Sequence, residues 1–577
     1  MKSKIFIVLI FIINGLCLAQ QNTFNKEAEL KKFVERRGKV EETSPNIYKL
    51  TYRDGSQRVF NFNQTEKLNE IDNGIDTTII NVWEIDTTKF AGMFKFWQKV
   101  EVANSYWMPL PVEDLNKNGE PELYGYTDVV HPNFAGPVKI FERDFSGVYN
   151  QIFNFDSETM FVQGMGDIHQ TGGKDIFLFM IEVTDTLINS YNAVYKSDSS
   201  DILPTTFDFK FYYDNQFQIN DMTFGDFDIN KITDCAFTSG DDGGIPRIIL
   251  GEFRDSINNF VPVFEQVTEG ECPSGFAIGD FDQDRKTELV SSTGNGNIYI
   301  IENNNENQYS LVSQFLFPYL AAYMQTVTND IDGNGKPEFW IGGQNLLDGI
   351  TTYQCYESDS DNSYHPIARI ELRYSVSLGT NYIQAADIDD DGKEELIISS
   401  GNNIFILKFV GSSGEHIYKL LYAKLGEATQ INAEFYPVAI ADLDGDEKKD
   451  LLLPFRKFVE PIEYAFSYIL RKSNTTGVEN ENSQIFQDTF ISSYPNPFNA
   501  TSTISFQLNE TSKVQIKIFN TLGKEITTLL EKDLTPNSYT ISWEAINKNG
   551  DPLPSGVYLI VLQTKNSIKS IKTILLK

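Results

Sequence analysis

The sequence has few cysteine and histidine residues, and none of them falls in a familiar metal or redox motif. Only four cysteines and four histidines occur among 577 residues. No CxxC, HExxH or GxSxG is present, so zinc clusters, thiol redox sites and nucleophile elbows find no support. Beyond the N-terminal region only Cys235, Cys272 and Cys355 remain. At most one disulfide can form among these three, and its pairing stays open.

Positive charge is also scarce. The chain has 48 Lys and Arg against 80 Asp and Glu, which gives a formal net charge of −32. A surface of this sign repels phosphate backbones and anionic lipids, which argues against nucleic acid and acidic membranes as partners. The hydrophobic fraction of 41% is sufficient for a packed core, so global disorder is not expected.

Long apolar runs are absent after the N-terminus. There, Lys2 and Lys4 precede the apolar run Ile5–Ile13, and Cys17 and Ala19 occupy the small-residue positions of a cleavage site. The run is too short to span a bilayer, so the pattern predicts a secretory signal peptide over residues 1–19. Residues 20–45 form a charged segment that includes the one stretch with helical periodicity, residues 26–42. No transmembrane helix is predicted.

One acidic ten-residue pattern, in contrast, occurs seven times. Each copy begins with Asp and has an acidic residue at its ninth position. The copies are DLNKNGEPEL (114–123), DIHQTGGKDI (167–176), DFDINKITDC (226–235), DFDQDRKTEL (280–289), DIDGNGKPEF (330–339), DIDDDGKEEL (387–396) and DLDGDEKKDL (442–451). Their starts follow one another at nearly equal intervals. Such regular spacing predicts one structural unit for each copy.

The segments around each copy are rich in β-branched and aromatic residues. GFAIG (275–279) precedes one copy, ELIISS (395–400) ends another, and runs such as IYIIE (298–302) and YSLVSQFLF (309–317) follow. This composition predicts four strands in each unit. Four strands in about 50 residues are typical of a β-propeller blade. We therefore predict an all-β chain with a seven-bladed β-propeller over residues 46–473.

The N-terminal part of this region contains further strand-like runs, so a propeller of eight blades is an alternative. Residues 46–52 and 57–63 are predicted to form a hairpin, which could supply the outer strand of the last blade. The runs Thr78–Ile85 and Met93–Val102 resemble the third and fourth strands of a blade without an acidic loop. Either arrangement would cover an otherwise exposed sheet edge.

The acidic copies present the oxygen ligands that calcium prefers, which number six to eight. Side chains at positions one, three, five and nine can converge, with a backbone carbonyl near position seven. The predicted ligands are Asp387, Asp389, Asp391 and Glu395; Asp442, Asp444, Asp446 and Asp450; Asp280, Asp282, Asp284 and Glu288; Asp330, Asp332, Asn334 and Glu338; Asp226, Asp228, Asn230 and Asp234; and Asp114, Asn116, Asn118 and Glu122. The copy at 167–175 has His169 and Thr171 at ligand positions and is not among the predicted sites. Up to about six calcium ions are thus expected.

Three other interpretations of the acidic copies are weaker. An EF-hand needs its closing glutamate at position twelve and flanking helices, whereas here the acid is at position nine and strands are predicted on both sides. Solvated acidic turns and catalytic acid pairs do not require seven copies in phase.

The pattern D-x-[DN]-x-[DN]-G-x-x-[DE]-[LIF] in units of this length resembles the FG-GAP/VCBS repeats, the propeller type of the integrin α-subunit head. The resemblance covers about residues 104–473. It implies that each loop joins the first two strands of a blade and holds calcium. Three copies depart from the pattern at position six, where Lys231, Arg285 and Glu447 replace glycine. The resemblance is specific for the fold and not for one function.

A polar linker, residues 474–490, precedes a predicted small Ig-like β-sandwich over residues 491–577. Its predicted strands are Ser502–Leu508, Val514–Phe519, Ser538–Trp543, Val557–Gln563 and Ile568–Leu576. YPNPFN, IFNTLGKE and LPSGVYLIVL resemble the type A C-terminal sorting domain of the type IX secretion system of Bacteroidota. The resemblance implies contact with that machinery and a secreted or outer-membrane surface location.

No catalytic constellation stands outside the repeated loops. We therefore favour an exported, calcium-stabilised module that binds an extracellular protein or glycan, on the cell surface or in the medium. The alternative is an extracellular carbohydrate-active enzyme, a lyase or hydrolase, with its site on the propeller face. Tryptophans such as Trp97 and Trp340 could stack on sugars, but core packing is their expected role.

Overall fold

The computed structural model describes residues 38–473 and 490–576. Gaps in the first range are 45–46, 53–56, 62–74, 91, 104–109, 131–137, 156–158, 184–187, 200, 212–218, 241–244, 255, 270–272, 346–349, 374–380, 427–432 and 460–461, and gaps in the second are 495–497, 500, 509–510, 521–523, 536, 549–550 and 566–567. The chain divides into two compact units, Met1–Thr476 and Gly477–Lys577. The predicted signal peptide lies outside the described residues.

The first unit is made of β-strands. They are β1 (Gly38–Ser44), β2 (Ile47–Tyr52), β3 (Gln57–Asn61), β4 (Asp76–Asn81), β5 (Phe94–Val100), β6 (Leu123–Gly125), β7 (Val129–Val130), β8 (Lys139–Arg143), β9 (Tyr149–Asn154), β10 (Thr159–Gly166), β11 (Asp175–Val183), β12 (Ile188–Lys196), β13 (Thr206–Phe211), β14 (Ile219–Gly225), β15 (Asp234–Ser239), β16 (Arg247–Arg254), β17 (Asn259–Val267), β18 (Pro273–Gly279), β19 (Glu288–Thr293), β20 (Asn297–Asn305), β21 (Gln308–Leu316), β22 (Leu320–Thr328), β23 (Glu338–Asn345), β24 (Ile350–Ser360), β25 (Ser363–Arg373), β26 (Asn381–Ala386), β27 (Glu395–Ser400), β28 (Asn403–Phe409), β29 (Tyr418–Lys424), β30 (Ala433–Phe435), β31 (Ala439–Ala441), β32 (Asp450–Val459) and β33 (Ile462–Lys472). The helical elements of the described residues are two 3-10 turns, Val82–Glu84 and Thr87–Phe90. Among the described residues, no helix is long and apolar enough to cross a membrane.

Seven sheets each contain one acidic loop. Their strand orders are β6-β8-β9, β10-β11-β12-β13, β14-β15-β16-β17, β18-β19-β20-β21, β22-β23-β24-β25, β26-β27-β28-β29 and a last sheet centred on β32 and β33. Neighbouring strands within these sheets are antiparallel. The acidic loop joins two neighbouring strands in six of the sheets, whereas loop 114–122 precedes β6 and is flanked by an isolated bridge between Glu113 and Glu122. We name each loop by its first and ninth residue, from loop 114–122 to loop 442–450.

Two strands from earlier in the chain complete these sheets. β5 pairs antiparallel with β33, with Gln98 opposite Ile469, and β4 pairs parallel with β25, with Thr78 opposite Ile370. Each added strand satisfies backbone groups that an edge strand would leave unpaired. The prediction that both runs belong to one additional blade was therefore wrong, because they extend two different sheets.

The N-terminal hairpin has a different partner from the one predicted. β2 and β3 pair antiparallel as expected, but they form a sheet with β1 and do not extend the last sheet. β1 also covers the end of the charged stretch with helical periodicity. Its pairing with β2 makes residues 38–44 extended, because strand contacts override the local helical pattern.

Aromatic and aliphatic side chains pack consecutive sheets together. Phe177 and Phe211 of one sheet share a cluster with Phe237 and Phe260 of the next. The last acidic-loop sheet also packs against the first, through a cluster that contains Leu123, Tyr149, Leu452 and Ile469. The chain of contacts between the seven sheets therefore returns to its start.

The cysteines add no crosslink to this core among the described residues. Cys235 and Cys355 are both buried and free, and Cys272 lies outside the described residues. A disulfide between Cys235 and Cys355 is therefore not formed.

The second unit contains two antiparallel sheets. Its strands are β34 (Phe490–Tyr494), β35 (Ser502–Leu508), β36 (Ser512–Asn520), β37 (Glu525–Leu534), β38 (Asn537–Trp543), β39 (Gly556–Gln563) and β40 (Ile568–Leu575), in the orders β34-β35-β38 and β37-β36-β39-β40. A single apolar cluster, which includes Phe506, Ile518, Trp543 and Leu562, is shared by both sheets. All five predicted strands are present. β37 escaped prediction because it is an edge strand whose apolar residues, Ile526, Leu529 and Leu530, do not alternate with polar ones.

Candidate metal-binding loops

All seven acidic loops use the same backbone frame. The acid at position nine accepts the backbone N–H of position two in every loop, as Glu395 Oε2 does from Ile388 at 2.8 Å. The equivalent bonds are Leu115–Glu122, Ile168–Asp175, Phe227–Asp234, Phe281–Glu288, Ile331–Glu338 and Leu443–Asp450. The Asp at position one accepts the N–H of position six, as Asp387 Oδ2 does from Gly392 at 3.0 Å. Two of the predicted ligand positions are thus also structural anchors of the turn.

Positions four and six both adopt left-handed backbone conformations. The φ angle lies between 54° and 81° at position four and between 65° and 96° at position six in all seven loops. Lys231, Arg285 and Glu447 therefore keep the turn that glycine makes elsewhere at position six. Ile229 at position four adopts φ 62° although its side chain is β-branched, which is a costly conformation. The sequence pattern included position six and missed position four.

The ninth-position acids are buried at the start of the second strand. Glu288 and Glu338 are fully buried, and burial and the neighbouring loop carboxylates raise their pKa values to about 8 and about 9. Burial likewise raises the pKa of Asp234 to about 7. One carboxylate oxygen of each of these three residues is buried without a hydrogen-bond partner. Such an oxygen is costly to bury unless a cation occupies the adjacent space.

In each sheet, the strand paired with the segment that starts at the ninth-position acid carries a residue that faces this acid. Glu302 pairs directly with Glu288, and Glu252 pairs directly with Asp234. In the other sheets the facing residue is one step beyond the last paired residues. The facing residues are Glu142, Lys196, Glu252, Glu302, Glu357, Lys408 and Arg471, in loop order. The loops therefore divide into four that face a second carboxylate and three that face a cation.

Loop 280–288 concentrates the most negative charge. One oxygen from each of Asp280, Asp282, Asp284 and Glu288 lies within 4.8 Å of the others. Glu302 adds a fifth carboxylate that is also buried. The ammonium of Lys286, 2.5 Å from Asp284 Oδ2 and 2.8 Å from Glu302 Oε1, is the cation that contacts this cluster among the described residues, and it is partly exposed. One ammonium does not balance five carboxylates, so the geometry fits a bound divalent cation.

Loops 226–234 and 330–338 have related clusters. Oxygens of Asp226, Asp228 and Asp234 converge within 4.8 Å. The fifth-position amide bonds the facing glutamate in both loops, from Asn230 to Glu252 at 2.9 Å and from Asn334 to Glu357 at 2.8 Å. These amides orient the facing carboxylate toward the loop.

Loop 330–338 differs in one partner. The ligand atoms of Asp332 and Glu338 lie within 4.8 Å of a ring nitrogen of His416. His416 belongs to the next sheet, between β28 and β29, and was not among the predicted ligands. It is distant from Asp332 along the chain, and no regular spacing in the sequence signals their proximity.

In three of the loops, a backbone N–H of the next sheet donates a hydrogen bond to a loop aspartate. The third-position Asp accepts an N–H from the turn between the third and fourth strands of that sheet. The donors are Asn307 to Asp228 at 2.6 Å, Asn362 to Asp282 at 2.8 Å and Gly414 to Asp332 at 2.9 Å. The side-chain oxygens of Asn307 and Asn362 are buried without a hydrogen-bond partner. These loops therefore lie between adjacent sheets.

Loop 387–395 contains its own cation. The ammonium of Lys408 donates to Asp389, to Asp391 Oδ2 at 2.6 Å and to Glu395 Oε1 at 3.3 Å. Burial opposes the charge on Lys408, but the hydrogen bonds to Asp389 and Asp391 outweigh it and raise the pKa of the amine. Lys408 therefore lies where three predicted calcium ligands converge.

Loop 442–450 is similar. Arg471 Nε lies 2.7 Å from Asp444 Oδ2, and its guanidinium stacks 3.7 Å from the ring centroid of Trp97. Lys448 also contacts Asp446. The acidic side chains at positions three and five thus have cationic partners within the protein.

The remaining two loops differ from the pattern in other ways. In loop 167–175, His169 bridges Asp175 Oδ2 at 3.1 Å and Asp208 Oδ2 at 3.0 Å, and the hydrogen bond to Asp175 raises the pKa of the imidazole. The His169 side chain therefore lies between two carboxylates of this loop and its sheet. In loop 114–122, the amide of Asn116 bonds Glu122 at 2.5 Å and Glu142 at 2.9 Å. Two amides there replace carboxylates, as the sequence indicated.

Trp340 and His365 were not predicted as ligands, and both lie outside the acidic loops. Trp340 is fully buried in the core and donates from Nε1 to Thr328 at 2.9 Å, so it does not present a face to a sugar. His365 is partly exposed on β25, 3.8 Å from Asp359. Trp107, His131 and the side chain of Trp83 lie outside the described residues.

Two known families match parts of the chain. Residues 280–341 match the FG-GAP-like repeat, and residues 492–577 match the secretion system C-terminal sorting domain. Both resemblances drawn from the motifs are thereby confirmed. The chain carries a type IX sorting domain, which directs export to the cell surface or the surroundings of the cell. No curated protein is similar to the chain in sequence.

Two solved structures are similar to the chain at low scores. BBS1N, crystallised in complex with ARL6DN and soaked with lead, matches at 11% identity and TM-score 0.42, over 67% of this chain and 100% of BBS1N. PorZ, described as a surface component of the type IX secretion system of Porphyromonas gingivalis, matches at 12% identity and TM-score 0.33, over 82% of this chain and 61% of PorZ. Because both TM-scores are below 0.5, neither likeness defines the fold.

Proposed function

We propose that the protein is an exported, calcium-stabilised β-propeller that binds an extracellular protein or glycan. In this proposal the seven acidic-loop sheets are seven blades, and residues 491–577 are an Ig-like sandwich that serves export. Seven sheets in succession, with the last packed against the first, support the blade count. The observation that carries the calcium assignment is the set of buried carboxylate oxygens without partners at Asp234, Glu288 and Glu338.

We assign calcium first to loops 226–234, 280–288 and 330–338. In each, the ninth acid and the facing glutamate are buried on paired strands, and a turn of the next sheet closes the loop. A bound calcium ion would supply the positive charge that offsets this repulsion. In all three loops the first Asp fixes the turn, and the next sheet donates a backbone N–H to the third-position Asp. The amides of Asn230 and Asn334 also orient the facing glutamates in two of the loops.

Loops 387–395 and 442–450 are weaker calcium sites in this proposal. Lys408 and Arg471 occupy the position that a facing glutamate has elsewhere, and each contacts the loop carboxylates. A cation built into the protein competes with a bound ion, because both would need the same oxygens. The number of acidic ligands alone would not give this ranking, because these two loops and loop 280–288 each have four.

Exposed apolar side chains support binding as the role of the loop-bearing edge. Phe145 lies in the turn between β8 and β9 and Ile257 in the turn between β16 and β17, at the edge of each sheet that also carries its acidic loop, and Ile229 lies in such a loop. Each is largely exposed, and Phe145 is completely so. Large apolar side chains held on rigid turns are suited to contact a partner.

A binding array of extracellular proteins and glycans tests the proposal. The mature protein, applied with calcium and then with chelator, is expected to bind a partner in calcium, and Phe145→Ser is expected to weaken a partner bound at this edge. Release of sugar fragments from a bound glycan would instead favour the carbohydrate-active enzyme. Absence of binding and of product release with every glycan and protein would contradict both.

A further inference from the structure

His416 is a buried histidine with one ring nitrogen directed at two buried carboxylates. Its side chain is 3% exposed, and Nε2 lies 3.5 Å from Asp332 Oδ2 and has no hydrogen-bond partner. Asp332 and Glu338 are themselves buried, and Glu338 Oε1 also lacks a partner. Ligand atoms of all three residues lie within 4.8 Å of one another.

The surroundings of His416 fix the ring in this position. Its backbone N–H donates to Asp76 Oδ2 at 2.8 Å, and its ring packs edge-on against Phe409. Nδ1 lies 3.2 Å from the hydroxyl of Tyr418. A histidine that binds a metal usually uses its second ring nitrogen to bond such a partner, which fixes the tautomer with the first nitrogen free. The Tyr418 hydroxyl is suited to this orienting role.

The donor set differs from that of the other loops. This cluster of described residues combines an imidazole with carboxylates, whereas those at loops 226–234, 280–288 and 387–395 contain carboxylates alone. Calcium prefers oxygen ligands only, whereas imidazole suits zinc and other transition-metal dications. Asn334 and Glu357 lie beside the cluster and offer further oxygens.

We propose that Asp332, Glu338 and His416 form a distinct site for a transition-metal dication such as Zn²⁺, linking loop 330–338 to the following sheet. This inference refines the proposed calcium function at one loop, since it assigns that loop a different metal. Tyr418 acts as a positioning residue, because it touches the imidazole and not the ion. A histidine buried only for packing would not need a buried carboxylate oxygen without a partner, Glu338 Oε1, near its own unpartnered nitrogen.

Zinc titration of the mature protein in saturating calcium tests the site. Calcium fills the oxygen-only loops, so one equivalent of Zn²⁺ is expected to bind by calorimetry. Co²⁺ in place of zinc is expected to give a visible absorption spectrum that includes a nitrogen ligand. His416→Gln is expected to weaken Zn²⁺ binding by more than about tenfold, and Tyr418→Phe by about tenfold. Asp201→Asn, which changes an exposed carboxylate in the sheet of β10 to β13, is the control and is expected to leave Zn²⁺ binding unchanged.

The outcomes separate this proposal from the calcium proposal. Equal Zn²⁺ affinity in His416→Gln and the parent protein, or no Zn²⁺ binding by the parent, would overturn the zinc site. If His416→Gln does not fold, Asp332→Asn replaces it and is expected to weaken Zn²⁺ binding by more than about tenfold. A Co²⁺ spectrum of Asp332→Asn identical to that of the parent protein would overturn the zinc site. Calcium stoichiometry measured on Asp228→Asn and Asp282→Asn reports separately on loops 226–234 and 280–288.

Discussion

Glu288 and Glu302 face each other on paired strands, and both are buried, with 0% and 2% of their surfaces exposed. Two carboxylates in this relationship repel strongly, because the interior screens charge much less than water does. In the sheet of loop 387–395 the same relationship joins Glu395 to Lys408, which attract. One strand position thus distinguishes loops that face a second carboxylate from loops that contain a cation of the protein.

Replacing Glu302 by a cationic residue is expected to make loop 280–288 resemble loop 387–395, which contacts a lysine of the protein. Glu302→Lys places an ammonium opposite Glu288, so the variant is expected to bind about one calcium ion fewer than the parent, by equilibrium dialysis. Its unfolding free energy in chelator is expected to rise, because the buried repulsion is removed. Glu265→Lys, a charge change at a site away from the loop, is the control. Unchanged calcium stoichiometry in Glu302→Lys would contradict the assignment of loop 280–288.

The reverse change is expected at loop 387–395. Lys408→Ala leaves Asp389, Asp391 and Glu395 without their shared cation, so the free energy of unfolding in chelator is expected to fall by about 3 kcal/mol. Added calcium is expected to restore part of this loss in the variant. Chemical denaturation with and without calcium measures both effects. An equal loss in both conditions would mean that loop 387–395 does not accept an ion.

Backbone strain at Ile229 predicts a stabilising substitution. The residue has φ 62° and is 73% exposed, so its side chain gains little from packing. Ile229→Gly removes the steric cost of the left-handed conformation and is expected to raise the free energy of unfolding by about 1 kcal/mol. Ile257→Gly, at another exposed turn without a left-handed φ, is the control and is expected to give no gain. Thermal unfolding in calcium compares the two.

The buried Asp221 predicts a pH dependence of stability. It accepts hydrogen bonds from Ser274 Oγ at 2.6 Å and from the Gly275 N–H, both in the next sheet, and burial raises its pKa from 3.8 to about 6. Because the folded protein holds this proton more tightly than the unfolded chain, its stabilising effect is complete below pH 3.8. The effect is lost as the pH rises through 6.

Asp221→Asn keeps an acceptor for both donors and does not titrate. Relative to the parent, its unfolding free energy is expected to increase between pH 4 and pH 7, by at most about 3 kcal/mol. Denaturation series of both proteins in saturating calcium, so that the loops contribute alike, give this difference. A difference that is independent of pH would show that Asp221 has an ordinary pKa.

The sequence predicts the loops themselves better than it predicts what each loop binds. The phase of the seven copies placed one acidic loop in each of the seven sheets, because every loop repeats the same local hydrogen bonds. The facing residue was not predictable in this way, since the third strand starts after connections of different length. The segment from Glu288 to Glu302, for example, is shorter than the segment from Glu338 to Glu357.

Contacts between sheets were harder to predict from the sequence than the loops. Asn362 reaches Asp282 from the following sheet, and His416 reaches Asp332 in the same way. β4 and β5 lie early in the chain, yet they join the sheets of β25 and β33, which come far later. These partners depend on how the sheets succeed one another in space, which no local pattern encodes.

Thermal unfolding of the mature protein in calcium and in excess chelator tests the central claim most directly. An ion bound only by the folded state adds about 2.7 kcal/mol at a concentration one hundred times its dissociation constant. Occupied loops 226–234 and 280–288 therefore predict a clear fall in melting temperature on chelation, with recovery when calcium is restored. A melting temperature that is the same in calcium and in chelator would contradict the account.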